Sequence, residues 1–145
     1  MNKSKNRKFA FATLQDINRR IKGREVVIFG AGNIAKKTFR ILKENRVKAI
    51  VDNSSNLWGK FELGVKIESP QYLLSEEGKD TFVIICTTSF IDVAKQLDDI
   101  GLTVEENYYV SPILNDLRII NELETIEKSI LLTSGSPKQD NDLFG

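Results

Sequence analysis

Two rhythms of apolar residues alternate along this chain. Ala10, Leu14, Ile17 and Ile21 recur at steps of three and four, which predicts an amphipathic helix over residues 9–22, ended at Gly23. EVVIFG (25–30) then runs apolar and β-branched without a break, the composition of a strand buried on both faces of a parallel sheet. Helical spacing returns over 33–45, with Ile34, Thr38, Ile41 and Leu42 on one face, and VKAIVD (47–52) predicts a second strand. Residues 53–65 are dense in Asn, Ser and Gly and read as a loop. VKI (65–67) predicts a short third strand, and Pro70 opens a brief helix. TFVIIC (81–86) is the clearest strand after the first. Ser89 is expected to cap a helix that carries Val93, Leu97 and Ile100 on one face and stops at Gly101. NYYV (107–110) predicts a fifth strand, and Pro112 opens a last helix with Ile113, Leu117, Ile120 and Leu123 at helical steps.

Strands alternating with helices predict an α/β domain: a doubly wound, mainly parallel sheet of about five strands with helices on both faces. The expected organisation is a basic segment and helix over 1–23, the α/β domain over 24–126, and a tail over 127–145. That tail reads either as a final strand of this domain or, the preferred reading, as the start of a following domain, as in a fragment of a longer protein.

One junction carries candidate chemistry. Gly30, Gly32 and Ala35 fit G-x-G-x-x-[G/A], and they follow a predicted strand and open a predicted helix, the context the pattern requires. Gly30 allows a sharp turn without a Cβ clash, Gly32 lets an anionic group approach the backbone, and Ala35 lets helix and strand pack closely. Amides of residues 32–34, at the positive end of the helix, are then available to a phosphate. Asp52 ends the second strand, where a carboxylate accepts hydrogen bonds from ribose hydroxyls and repels a 2′-phosphate. In an open parallel sheet the loop after TFVIIC reaches the same crevice, which brings in Thr87 and Thr88, with Ser89 beside them. Lys36 and Lys37 lie in the first turn of the helix and are expected at the surface. Cys86 is expected to be a small buried strand residue rather than a nucleophile.

Composition narrows the reading. A formal net charge of +1 offers no field for DNA, RNA or acidic membranes, although Lys3, Lys5, Arg7 and Lys8 make the first residues locally basic. The sequence has no histidine, which removes the commonest metal ligand and the commonest general base at neutral pH. A single cysteine excludes an internal disulfide. With no apolar run of about 18 residues and no leader-like segment, a soluble, cytoplasmic protein is expected.

VVIFGAGNIAKK, VDNSSNLWGKFELGVKIESPQYL and FVIICTTSFIDVAKQLDDIGL together resemble a group of bacterial Rossmann-like domains from surface-polysaccharide and glycan biosynthesis. The run from the strand-end acid through D-N-x-x-x-x-W-G to G-V-x-I-x-S-P is characteristic of that group, and the resemblance spans roughly 24–110. Such domains occur at the N-terminus of sugar acyltransferases, where they bind UDP-sugar, beside sugar-nucleotide dehydratases, and fused to glycosyltransferases or methyltransferases. The resemblance implies NAD or a UDP-sugar at the glycine loop, without choosing between them. It implies that Gly30, Ala31, Gly32, Asn33 and Ile34 face phosphate, that Asp52 and Asn53 lie near ribose or base, and that Trp58 lies over the base or over its own loop. The acyltransferase subgroup carries a histidine soon after its glycine loop. Here that region reads Asn33, Ile34, Ala35, which argues against acyl transfer.

Hydride transfer by a Tyr-x-x-x-Lys pair is also unsupported: Glu76 follows Tyr72 at that spacing, Pro112 follows Tyr108, and Ile113 follows Tyr109. No Walker-type loop occurs. The leading expectation is a non-catalytic module that holds a nucleotide or sugar nucleotide for a linked or associated catalytic domain. The alternatives are the NAD-binding part of a sugar-nucleotide oxidoreductase or epimerase, and a degenerate domain kept for packing or oligomerisation.

Overall fold

The structure, a computed structural model, describes residues 13–42 and 47–115 and the single positions 126 and 130. The chain divides into two units, Met1–Asn115 and Asp116–Gly145, and every element named below belongs to the first. The start of the predicted first helix, the later turns of the predicted last one and the tail over 131–145 lie outside the described residues.

Helix α1 spans Leu14–Ile21 and buries Ile17 and Ile21. Its start is held by a capping box: the Thr13 hydroxyl accepts from the Asp16 amide, and the Asp16 carboxylate accepts from the Thr13 amide. Lys22 and Gly23, both at positive φ, end it. Strand β1 (Val26–Phe29) follows, with all four side chains buried. Each such side chain contributes about 1.5–3 kcal/mol on leaving water, so β1 anchors the core. Helix α2 (Asn33–Ile41) turns Ala35 and Thr38 fully inward, with Leu42 just beyond its end. Strand β2 (Val47–Val51) comes next.

The expected loop over 53–65 holds more structure than its composition suggests. A 3₁₀ turn over Ser55–Leu57 leads to the two-residue strand β3 (Phe61–Glu62), which pairs antiparallel with β4 (Val65–Glu68). Leu63 and Gly64 link the two at φ 57° and 78°, the positive values that tight hairpins of type I′ need at both central residues. A 3₁₀ turn over Pro70–Leu74, capped by Ser69, precedes β5 (Phe82–Ile85). Helix α3 (Phe90–Asp99) and β6 (Tyr108–Val110) complete the domain, and residues 112–115 begin a helical turn.

The sheet order is β3-β4-β2-β1-β5-β6, parallel throughout except for the β3–β4 hairpin. Helices flank both faces. Successive strand residues point to opposite sides; the Tyr108 hydroxyl donates to the Asp98 carboxylate of α3 at 2.6 Å, whereas the Tyr109 ring stacks under the Arg20 guanidinium of α1 at 4.9 Å. This is the Rossmann-like, doubly wound α/β architecture expected, with one extra edge strand beyond the five. Chain order runs outward from β1 to β2 and β4 on one side and from β5 to β6 on the other, so the direction of winding reverses between β1 and β5. In open sheets that reversal leaves a crevice beyond the carboxyl ends of the two strands.

Candidate functional site

Two glycines shape the loop that leaves β1, and they do different jobs. Gly30 has φ +116°, and a Cβ there would lie 2.9 Å from the Cys86 carbonyl oxygen. Only glycine lets β1 and β5 leave the sheet this close together. Gly32 has φ −97°, an ordinary value, and a Cβ there would meet nothing within 4 Å. Neither strain nor crowding within the chain demands glycine at 32.

Gly32 is also the N-cap of α2, and no side chain caps it. The first helical hydrogen bond runs from the Lys36 amide to the Gly32 carbonyl at 3.2 Å, so the amides of Gly32, Asn33 and Ile34 have no acceptor among the described residues. The contrast with the boxed start of α1 is instructive. A side-chain cap at 32 would fill the space in front of these amides; glycine leaves it open, at the positive end of the helix.

That space is a cleft of about 260 Å³. Gly30, Ala31, Gly32, Asn33 and Ile34 form one wall, Thr87 and Thr88 with Cys86 form the other, and Asp52 lies alongside. Eight of the nine residues expected from the sequence are thus brought together. Asn53 is not among the lining residues; its side-chain amide pairs with that of Gln96 on α3.

Asp52 is engaged before any ligand arrives. Its Oδ2 accepts from the Ala31 amide at 3.0 Å and its Oδ1 from the Ser54 amide at 2.8 Å. Its backbone carbonyl accepts from the Trp58 indole at 2.7 Å. The carboxylate therefore pins the glycine loop to the end of β2. An ionised carboxylate offers roughly four acceptor positions, so two of the four remain for hydroxyl donors. Trp58, 42% exposed, is held by its own loop.

On the opposite wall the Thr87 hydroxyl accepts from the Ser89 amide at 3.2 Å, which leaves its proton to donate elsewhere. Ser89 holds the N-cap position of α3 but makes no capping hydrogen bond through its side chain, contrary to expectation. Its backbone, at φ −85° and ψ 39°, is not in the extended conformation that turns an N-cap hydroxyl back onto the helix amides. Cys86 is buried, and burial pushes its thiol up to about 12, opposed only in part by the Thr38 and Ser111 hydroxyls beside it. A protonated thiol is a poor nucleophile. Thr38 donates to the Ile34 carbonyl at 2.8 Å and lies 2.6 Å from the Ser111 hydroxyl, which in turn accepts from the Ile113 amide at 3.1 Å. With the Thr38 proton used on Ile34, Ser111 is the donor between the two hydroxyls. This buried chain, not foreseen from the sequence, ties α2 to the end of β6.

Among the described residues no cationic side chain lines the cleft. Lys36 turns away to Glu62 on β3, at 3.5 Å. The arrangement suits an anion held by amide dipoles and hydroxyls, with a carboxylate alongside for neutral hydroxyl groups. Among the described residues no cluster of three metal-binding side chains occurs, and no helix is long and apolar enough to cross a membrane.

No curated protein matches the chain by sequence. Among solved structures, UDP-D-quinovosamine 4-dehydrogenase from Vibrio fischeri is 19% identical with a TM-score of 0.45, over 60% of this chain and 75% of that one. RSP in complex with β-NAD+ and operator DNA is 16% identical with a TM-score of 0.48, over 85% and 67%. RSP, a Rex-family repressor, also matches in a second structure at 17% identity and a TM-score of 0.46, over 83% and 68%. Residues 22–108, from the end of α1 to the start of β6, match the family model described as C2185-like, N-terminal, and the chain belongs to that family.

Proposed function

We propose that this chain is a nucleotide-binding module, not catalytic on its own, that holds NAD or a UDP-sugar at the loop between β1 and α2. The observation that carries the reading is the row of uncapped amides at Gly32, Asn33 and Ile34, facing a cleft at the point where the sheet reverses its winding. In this reading those amides and the Thr87 and Thr88 hydroxyls take phosphate oxygens, and the open positions on Asp52 take the ribose hydroxyls. Asn53 lies beyond, toward the base.

The cleft is smaller than the roughly 300–1,000 Å³ of pockets that enclose a whole ligand. At about 260 Å³ it fits a ribose and phosphate segment, with the rest of the ligand extending outside. A separate catalytic domain, linked or associated, would meet that projecting part. The absence of histidine from the sequence and the buried, protonated Cys86 support a binding role over a chemical one. The proposed setting is cytoplasmic surface-polysaccharide or glycan biosynthesis, supported by the sequence resemblance; the near-balanced charge supports a small-molecule ligand over nucleic acid.

Thermal melting with NAD+, NADH and a panel of UDP-sugars tests this. A ligand at 100 times its dissociation constant adds about 2.7 kcal/mol, a shift easily resolved in a domain of this size. A clear rise with one of these ligands is expected. No rise with any of them identifies the domain as one kept for packing.

A further inference from the structure

Asn53 and Gln96 are 43 residues apart in sequence, yet their side-chain amides pair in both directions: Asn53 Nδ2 donates to Gln96 Oε1 at 3.0 Å, and Gln96 Nε2 donates to Asn53 Oδ1 at 2.9 Å. Asn53 directly follows Asp52 on the loop after β2, and Gln96 lies on α3, which follows β5. Because β2 and β5 lie on opposite sides of β1, the pair bridges the carboxyl end of the sheet across the switch point, next to the cleft. Asn53 is exposed, and hydrogen bonds reached by water add little to holding a fold together. Such a pair exchanges readily for an equivalent partner.

We propose that Asn53 and Gln96 form the base-recognition site of this cleft, and that they select adenine over uracil. The proposal rests on the nucleotide-binding reading above and names its ligand class. A ligand with phosphate at the α2 amides and ribose at Asp52 has its base carried past Asp52, toward this pair. Each side-chain amide presents a donor and an acceptor side by side in one plane, the pattern that engages adenine bidentately. Adenine has two matching edges. Its N6 amino group has one hydrogen beside N7 and the other beside N1, so a base inserted between the two amides satisfies both at once. The two hydrogen bonds of the empty pair become four. Uracil has a single ring N–H available, at N3, so it engages one amide in this way and leaves the acceptor of the other without a donor.

Calorimetric titration of the full chain with pyrophosphate, UDP and ADP tests the proposal, using the natural sequence and the uncharged, similarly sized variants Asn53→Leu and Gln96→Met. ADP is expected to bind at least tenfold tighter than UDP. Either variant should weaken ADP tenfold or more and leave pyrophosphate unchanged, whereas a purely structural tie would alter all three ligands together or none. Pyrophosphate binding with ADP no tighter than UDP, or an ADP-to-UDP ratio unaltered in both variants, overturns the base assignment and leaves the phosphate cleft standing. Failure of all three ligands to bind overturns both. The two substitutions lie on different elements, so misfolding of one still leaves the other to decide.

Discussion

Replacing each loop glycine by alanine separates what the fold needs from what a ligand needs. At Gly30 the added methyl carbon would stand 2.9 Å from the Cys86 carbonyl oxygen and 3.2 Å from its carbon, at a φ of +116°. Positive φ costs a residue with a Cβ about 1–2 kcal/mol, and forcing a methyl against backbone adds about 1–3 kcal/mol. Loss of glycine's freedom in the unfolded chain returns about 0.4–1 kcal/mol. Gly30→Ala is therefore expected to destabilise the domain by roughly 2–4 kcal/mol, a fall in Tm on the order of 10 °C. At Gly32 the methyl meets nothing within 4 Å and φ is −97°. The poorer N-cap costs about 0.5–1 kcal/mol and the unfolded-state gain nearly cancels it. Gly32→Ala should melt within about 2 °C of the natural protein, yet lose most of any ligand-induced shift, because its methyl stands where phosphate approaches the amides. Urea denaturation and thermal melting, each with and without nucleotide, read both effects. Equal destabilisation by the two substitutions would refute the division of roles, and a Gly32→Ala protein that binds as before would remove the anion from the mouth of α2.

Other perturbations probe the neighbouring contacts. Asp52→Ala leaves the Ala31 and Ser54 amides without their carboxylate, and should cost about 1–3 kcal/mol in urea unfolding while weakening nucleotides more than pyrophosphate; unchanged stability would show that the carboxylate does not pin the loop. Thr38→Val and Ser111→Ala, singly and together, should show a coupling of about 1–2 kcal/mol in a double-mutant cycle, and additive effects would dissolve the proposed hydroxyl chain. The Cys86 thiol rises from 9.0 in the unfolded chain to about 12 in the fold. Below pH 9 both states keep the proton; above it only the unfolded state releases it, so stability falls as pH rises toward 12. The slope due to this group approaches about 1.4 kcal/mol per pH unit, and it should vanish from urea titrations of Cys86→Ala, which isolates it from the other groups that ionise in alkali.

The parts of this molecule that sequence made legible are those whose signal is local. VVIF and FVII are apolar runs too long to leave exposed, and the glycine pattern between β1 and α2 reports a turn whose geometry few other residues tolerate. Asp52 follows from where VKAIV ends, and the Thr87–Thr88 step from where FVII ends. The β3–β4 hairpin escaped because its turn places Leu63 at φ 57°, a position usually marked by Asn, Asp or Gly. Ser89 misled for a different reason: its backbone, at φ −85° and ψ 39°, is not in the extended conformation from which an N-cap hydroxyl turns back onto the helix amides, and a serine in the sequence does not record that angle. The Asn53–Gln96 and Thr38–Ser111 pairs join positions 43 and 73 residues apart, and no periodicity within either segment records its partner.

Lys36 lies one turn from the mouth of α2 yet spends its charge on Glu62 at the sheet edge. An anion seated at that mouth is thus met by fixed dipoles at contact range, not by a mobile counter-charge, and ions in solution screen contacts shorter than a Debye length of about 8 Å only weakly. Ligand occupancy in this domain should therefore fall less steeply with ionic strength than in sites that hold phosphate with lysine or arginine.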